Sequence, residues 1–362
     1  MPGILINGKR SQQPLPNYYN HSKMKVLRYI PLLIFAACGP QLPEVAPEVI
    51  TEKTLHDTDD PAIWVNPKDA AQSIVFGTDK DTNGAIYAFD LDGKIIEDKT
   101  IRNVKRPNNV DLEYGFALND STQTDIIVFT EREEKRIRMF SVPDMQPLDN
   151  GGFPVFTDAT GEEQLPMGVA LYKKPQTGDI YAIVGRKTGP TEGYLYQYQL
   201  QSDATGISAK LVRKFGGFSG KKEIEAIAVD NEKGFVYYSD EGHGIRKYHA
   251  DPAQGDAEIS LFGSEYFKKD IEGIAIARYD DGSGYLYVSN QQRHSFVIFD
   301  RNTNAFLDEL DLTTVETDGC DVVTVPMGPK FPNGLFVSMS DSQQFYFHDL
   351  AKIKPGLYPK PE

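Results

Sequence analysis

The chain has 362 residues, 40% of them hydrophobic, and 52 acidic side chains outweigh 38 Lys and Arg to leave a net charge of −14. It is long enough to bury a large core, and so acidic a surface repels nucleic acid and anionic membranes. The two cysteines, Cys38 and Cys320, cannot make a disulfide framework, which leaves packing and bound metal to hold an exported body together.

In chain order, the first departure is charge. Residues 1–37 hold Lys9, Arg10, Lys23, Lys25 and Arg28 and no acid. From Met24, basic residues, a short apolar run and small residues precede Cys38, the layout of a secretion signal and too short to span a bilayer. Phe35-Ala36-Ala37-Cys38 resembles a bacterial lipoprotein box, with Phe where Leu is usual, which implies lipid attachment at Cys38 and export to the bacterial cell envelope. A plain secretory signal with an incidental cysteine is the alternative. Met24 then reads as the true start. Pro40, Pro43, Glu44, Pro47 and Glu48 suit a tether. The expected organisation is a signal over 1–38, a linker over 39–52, one domain over 53–352 and a tail over 353–362.

The body repeats. Six segments end at Phe89, Phe140, Tyr198, Tyr248, Phe299 and His348, about 50 residues apart, a period that marks stacked or radial units. Two strand-like runs precede each segment. The first of the pair covers residues 61–65, 110–112, 168–172, 224–229, 271–276 and 320–323. The second covers 74–77, 126–129, 180–184, 235–238, 285–288 and 335–337. All are rich in β-branched and aromatic residues and bounded by turn formers. A fourth, weaker run often follows, as at 210–215. The predicted fold is all-β: a six-bladed β-propeller of four-stranded antiparallel blades, which closes radially and hides its sheet edges. A pair of β-sandwiches is the alternative, against which the even spacing argues.

Polar residues gather at two positions of the repeat. Asp59-Asp60, Asn109 with Asp111, Met167, Glu223 with Glu225, Asp270 with Glu272, and Asp318 with Asp321 begin the first runs. Lys80, Arg132, Lys187, Glu241, Gln291 and Asp341 follow the second. In an antiparallel pair, the start of one strand and the end of the next share an edge, so both sets are expected around one mouth of the channel. Crowded carboxylates raise one another's pKa unless cations compensate. Oxygen ligands without His or Cys suit calcium rather than zinc or copper. Lys80, Arg132 and Lys187 in three consecutive blades make one half of the rim cationic, and phosphate esters fit a rim of that kind. No Gly-x-Ser-x-Gly elbow, phosphate loop or zinc spacing of histidines is present. Cys320 reads as a small buried hydrophobe.

Asp59-Asp60-Pro61-Ala62-Ile63-Trp64, Asn108-Asn109-Val110-Asp111, Asp270-Ile271-Glu272-Gly273 and Thr317-Asp318-Gly319-Cys320-Asp321 resemble the β-propeller phytases of bacteria, over residues 50–350. The resemblance implies binding of several calcium ions and removal of phosphate from myo-inositol hexakisphosphate, phytate, or other inositol phosphates, as in a 3-phytase. By position it implies cleft ligands Asp59, Glu225, Glu241, Asp270, Glu272 and Gln291, of which Glu225, Glu241, Asp270 and Glu272 would serve catalysis. Asp60, Asn109, Asp111 and Asp318 would serve neighbouring calcium sites, and ligands such as Asp60 and Asp318 would clasp the first and last blades. Lys80, Arg132 and Lys187 match phosphate-binding cations. Met167, where the family often has Tyr, and Thr188, in place of Glu, depart in the second phosphate pocket.

Phosphoryl transfer needs charge neutralisation and in-line positioning, and bridging metals can supply both along with an acidified water. Direct attack of calcium-held water is therefore expected, on a monomer. A lactonase-like calcium propeller is one rival, but it would have no use for the cationic arc. A non-catalytic surface-binding propeller is the other.

Overall fold

The computed structural model describes residues 42–267 and 269–358. They form six four-stranded antiparallel sheets arranged as the blades of a propeller. Blade 1 comprises Thr58–Trp64, Ile74–Asp79, Gly84–Phe89 and Ile101–Val104. Blade 2 comprises Pro107–Asn119, Thr122–Glu131, Arg136–Val142 and Phe153–Pro154. Blade 3 comprises Pro166–Lys173, Ile180–Arg186, Glu192–Asp203 and Gly206–Gly217. Blade 4 comprises Ile227–Asp230, Phe235–Asp240, Gly244–His249 and Ser260–Phe262. Blade 5 comprises Ile274–Arg278, Gly284–Asn290, Ser295–Asp300 and Phe306–Asp311. Blade 6 takes Cys320–Val323, Leu335–Ser340 and Gln344–Asp349 from the end of the chain and Val49–Ile50 from its beginning. Among the described residues every helical turn is 3-10. The predicted architecture and the three runs of each repeat are thus as the sequence reading had them.

The strands form because both of their faces are covered. Ile74, Val75 and Phe76, or Ile126, Ile127, Val128 and Phe129, are buried throughout, which only blade-on-blade packing allows. Six apolar clusters result, one at each junction of neighbouring blades. Phe76, Ile86 and Trp64 meet Ile127, Phe129 and Phe140 between blades 1 and 2. Ile63, Val75 and Phe89 meet Val337, Phe345 and Phe347 where the ring closes. Each fully buried large side chain of this kind is worth about 1.5–3 kcal/mol.

Ring closure corrects the expected boundaries. Residues from Pro43 to Thr51, assigned to a linker, belong to the propeller. Val49 pairs with Phe347 and Ile50 with Tyr346. Val45 is buried, its N–H reaches the Asp311 carbonyl at 2.8 Å, and its own carbonyl lies 3.2 Å from Nε2 of His348. The reason is strand pairing: the open edge of the last blade has hydrogen-bonding groups to satisfy, and this segment supplies them. The signal segment and Cys38 lie outside the described residues.

Candidate active site

One hydrogen bond recurs in all six blades. The backbone N–H of Lys80, Arg132, Lys187, Glu241, Gln291 and Asp341 donates to the carbonyl of Asp57, Arg106, Leu165, Glu223, Asp270 and Val315, at 2.6, 3.1, 2.9, 3.3, 3.4 and 2.8 Å. Each residue that follows a second strand is thereby tied to the chain running into the inner strand of its own blade, and both sets of polar residues border one mouth. The residue just before each, namely Asp79, Glu131, Arg186, Asp240, Asn290 or Ser340, is buried. These buried groups anchor the loops beneath the mouth. Asp79 accepts the N–H of His56 and of Asp57 at 3.0 and 2.8 Å, and Asp240 accepts Ser219 N–H at 2.9 Å and Arg246 at 2.8 Å. Strand side chains alternate, so a downward anchor leaves the next residue for the mouth.

Glycine lets the blades crowd there. A Cβ at Gly168 would stand 2.0 Å from the Glu225 carbonyl oxygen, and one at Gly273 would stand 2.4 Å from that of Asp318. Any larger residue would push apart the chain segments that carry the acids.

Glu241, Asp270 and Glu272 form the tightest acidic group, each offering one oxygen within 4.8 Å of the others. Burial, with Glu225 and Asp270 behind it, pushes Glu241 up to about 8. Burial followed by Glu225 and Glu241 holds Glu272 well above the usual carboxylate range, and Glu225 is raised by burial and by Asp59. Oε2 of Glu272 is buried and has no hydrogen-bond partner. Glu241 and Glu272, crowded by neighbouring carboxylates, invite a cation. A hard cation fits: the donors are all oxygens, they converge, and one of them is unsatisfied.

Amides extend the group. Gln291 Nε2 donates to Asp318, Gln292 Nε2 donates to Asp270 and to Gln291 Oε1, and the Asp270 N–H reaches Gln292 Oε1 at 2.9 Å. Asp318 is raised well above its ordinary value by burial and by Asp59. Glu225, Glu241, Asp270, Glu272, Gln291, Asp318 and Asp59 are thus brought together around one mouth.

The cations interleave with the acids, whereas the sequence suggested two segregated halves. Lys80 Nζ lies 3.0 Å from Asp59 and 3.7 Å from Asp318. Burial works against its charge, yet Asp59, Glu225 and Asp318 outweigh burial and push its pKa up. Arg132 lies 3.6 Å from Glu225 and packs on the Met167 sulfur. Burial pulls its pKa down, with Glu225 opposing. Lys187, more exposed, is 3.8 Å from Glu223. A buried cation needs a partner, which is why each found one.

Asp60 and Asp111 stand elsewhere. They line the central channel, a cavity of ≈ 490 Å³, with Asn109, Glu113, Glu272, Asp321 and Arg278. Asp111 accepts the N–H of Leu112 and of Leu171 in the next blade, both at 2.7 Å. Asp321 does the same with Val322 at 2.7 Å and Ile63 at 2.8 Å, and Asp60 accepts Val110 N–H at 3.1 Å. These carboxylates strap one inner strand to the next. Asn109 lines the same cavity, its Oδ1 buried and unpartnered. Cys320 is buried, as read from sequence.

Sequence reasoning missed Lys222. Its Nζ bonds Asp270 and lies 3.7 Å from Glu241. It sits in a connecting loop outside the repeat, so no periodic signal marked it.

Chemically, this is a propeller whose mouth can receive hard cations and a polyanion side by side. The phytase family model matches residues 43–345. The 3-phytase of Bacillus subtilis (strain 168) is 31% identical over 297 residues, 77% of this chain and 73% of that protein. The chain belongs to the phytase family and is a phytase. A solved structure, the Dos1 propeller, is similar at a TM-score of 0.43 and 12% identity over 81% of this chain and 67% of that one, too weak a likeness to bear on the question.

Proposed function

We propose that the protein hydrolyses phytate to lower inositol phosphates by direct attack of water, with calcium in the mouth and no covalent phosphoenzyme. The observation that carries this reading is the convergence of Glu241, Asp270 and Glu272 in the mouth that also holds Lys80, Arg132 and Lys187. Glu225, Glu241, Asp270, Glu272, Asp59, Gln291 and Asp318 would hold the ions. Of the residues expected at neighbouring sites, Asn109 keeps a free donor oxygen, whereas Asp60 and Asp111 are engaged by backbone N–H groups of the inner strands. When bound, calcium supplies charge that polarises phosphoryl oxygens and acidifies a water.

The chain's own groups set the geometry. Lys80, partly buried, and Arg132, buried, are pinned by Asp59 and Glu225 and present fixed positive charge to the reacting phosphate. Lys187 meets the adjacent phosphate. Met167 offers only a thioether against Arg132, so the second phosphate pocket has fewer hydrogen-bond donors than one with a phenol there.

Phosphate release from phytate with and without calcium tests the reading. Activity that requires calcium, with one solvent oxygen incorporated per phosphate and no acid-stable phosphoenzyme, is expected. Release that persists after exhaustive chelation would sink it. On the lipoprotein motif we also propose that Cys38 is acylated and anchors the protein at the cell envelope. Stable anchoring takes more than one chain. Cys38→Ser should move the protein to the soluble fraction, and unchanged membrane association would reject the anchor.

A further inference from the structure

The loop between blades 3 and 4 carries adjacent side chains of opposite charge that reach different parts of the mouth. Lys222 lays its ammonium on Asp270, 3.7 Å from Glu241. Glu223 stands 3.8 Å from Lys187. The chain thus offers its own cation to the carboxylate trio and its own carboxylate to a proposed phosphate contact. The loop is fastened below by other residues. Ser219 donates through N–H and Oγ to Asp240 at 2.9 and 2.6 Å, and Lys221 Nζ reaches the Gly242 carbonyl at 2.9 Å. The Lys222 side chain is 47% exposed, so it can swing out without unfastening the loop.

We propose that Lys222 is a resident competitor for the metal and sets the affinity of the trio. The inference rests on reading the trio as a metal site. Three converging carboxylates, two of them buried, draw positive charge, and the ammonium on Asp270 and Glu241 supplies it without any ion. A divalent cation must take the same oxygens. Ammonium and metal at that spacing repel, so binding carries the work of turning Lys222 outward. A protein lacking that ammonium leaves the trio frustrated and ready for metal.

Lys222 touches two of the three acids, while the other cations of the mouth are paired with Asp59, Asp318, Glu225 and Glu223. Its effect should therefore be confined to one site. Because it is half exposed in a loop, replacing it leaves the blade packing intact.

The test is calorimetric titration of the full chain with calcium chloride alone, at constant pH and ionic strength. Lys222→Met should bind one site about tenfold more tightly, with unchanged stoichiometry. Lys222→Arg, which keeps the charge, should stay within about twofold of wild type. In the Glu241→Gln background, Lys222→Met should no longer tighten binding. Equal or weaker calcium binding by Lys222→Met would overturn the competitor role. The metal reading would survive that result if wild type binds calcium and Glu241→Gln weakens it. If neither wild type nor Lys222→Met binds calcium, both ideas fall.

Discussion

The mouth and the channel of this propeller both bury carboxylates, and burial raises the pKa of acids in each: Glu241 to about 8 in one, Asp111 to about 8 in the other. What separates them is what the oxygens face. In the channel, Asp111 and Asp321 each hold two backbone N–H groups, one from the next blade, so their hydrogen bonds are spent on the ring. At the mouth, Glu241, Asp270 and Glu272 face one another, and their partners are side chains such as Lys222 and Gln292 rather than backbone of the ring. A buried acid satisfied by backbone is architecture. One satisfied by a displaceable cation is poised for a ligand. A perturbed pKa does not by itself tell the two apart.

The largest expected effect breaks the comparison on the catalytic side. Glu241→Gln or Glu272→Gln removes a charge the transition state needs, so kcat on phytate should fall about 100-fold or more. Melting in chelator should stay level or rise, since one source of mutual repulsion is gone. Full kcat in either variant would show that the trio is not the centre of the reaction.

Next in size is the structural counterpart. Asp111→Ala or Asp321→Ala strands two buried N–H groups, at about 1–3 kcal/mol each. The melting temperature should drop while kcat, read well below it, changes by less than about threefold. If activity fell as far as in Glu241→Gln with melting unchanged, the channel acids would belong to the site.

Lys187→Ala gives a smaller effect. It should raise KM for phytate about tenfold with a lesser change in kcat, because it removes binding to a non-reacting phosphate. A monophosphate ester, which cannot fill both pockets, should be nearly indifferent to it. Equal loss on both substrates would place Lys187 on the reacting phosphate instead.

The smallest effect is in pH. Asp111 and Glu241 at about 8 and Asp321 at about 6 hold protons more tightly folded than unfolded, where 3.8 and 4.5 apply. The stability they lend is fully present below the unfolded values and is lost as pH climbs through the folded ones. In chelator, melting temperature should therefore decline from pH 5 to pH 8. Calcium should remove the mouth's share of that slope and leave the channel's, and Asp111→Asn should remove part of the remainder. A melting temperature that rises over this range without calcium would contradict the sign.

Sequence by itself determined the six blades. The period of about 50 residues and the β-branched runs are local features, and a sheet that packs on both faces writes itself as continuous apolar strands. Lys80, Arg132, Lys187, Glu241 and Gln291 were legible for the same reason, since each follows a second strand at a fixed offset. Tertiary structure alone decided three matters. Val49–Ile50 completes blade 6, a pairing across nearly the whole chain that two residues cannot announce. Asp60 and Asp111 line the channel and Asp270 joins the trio, while Glu272 borders both, a division set by how each chain segment enters its inner strand. Lys222 reaches the trio from a loop, where no period constrains position and only the fold brings an ammonium onto Asp270.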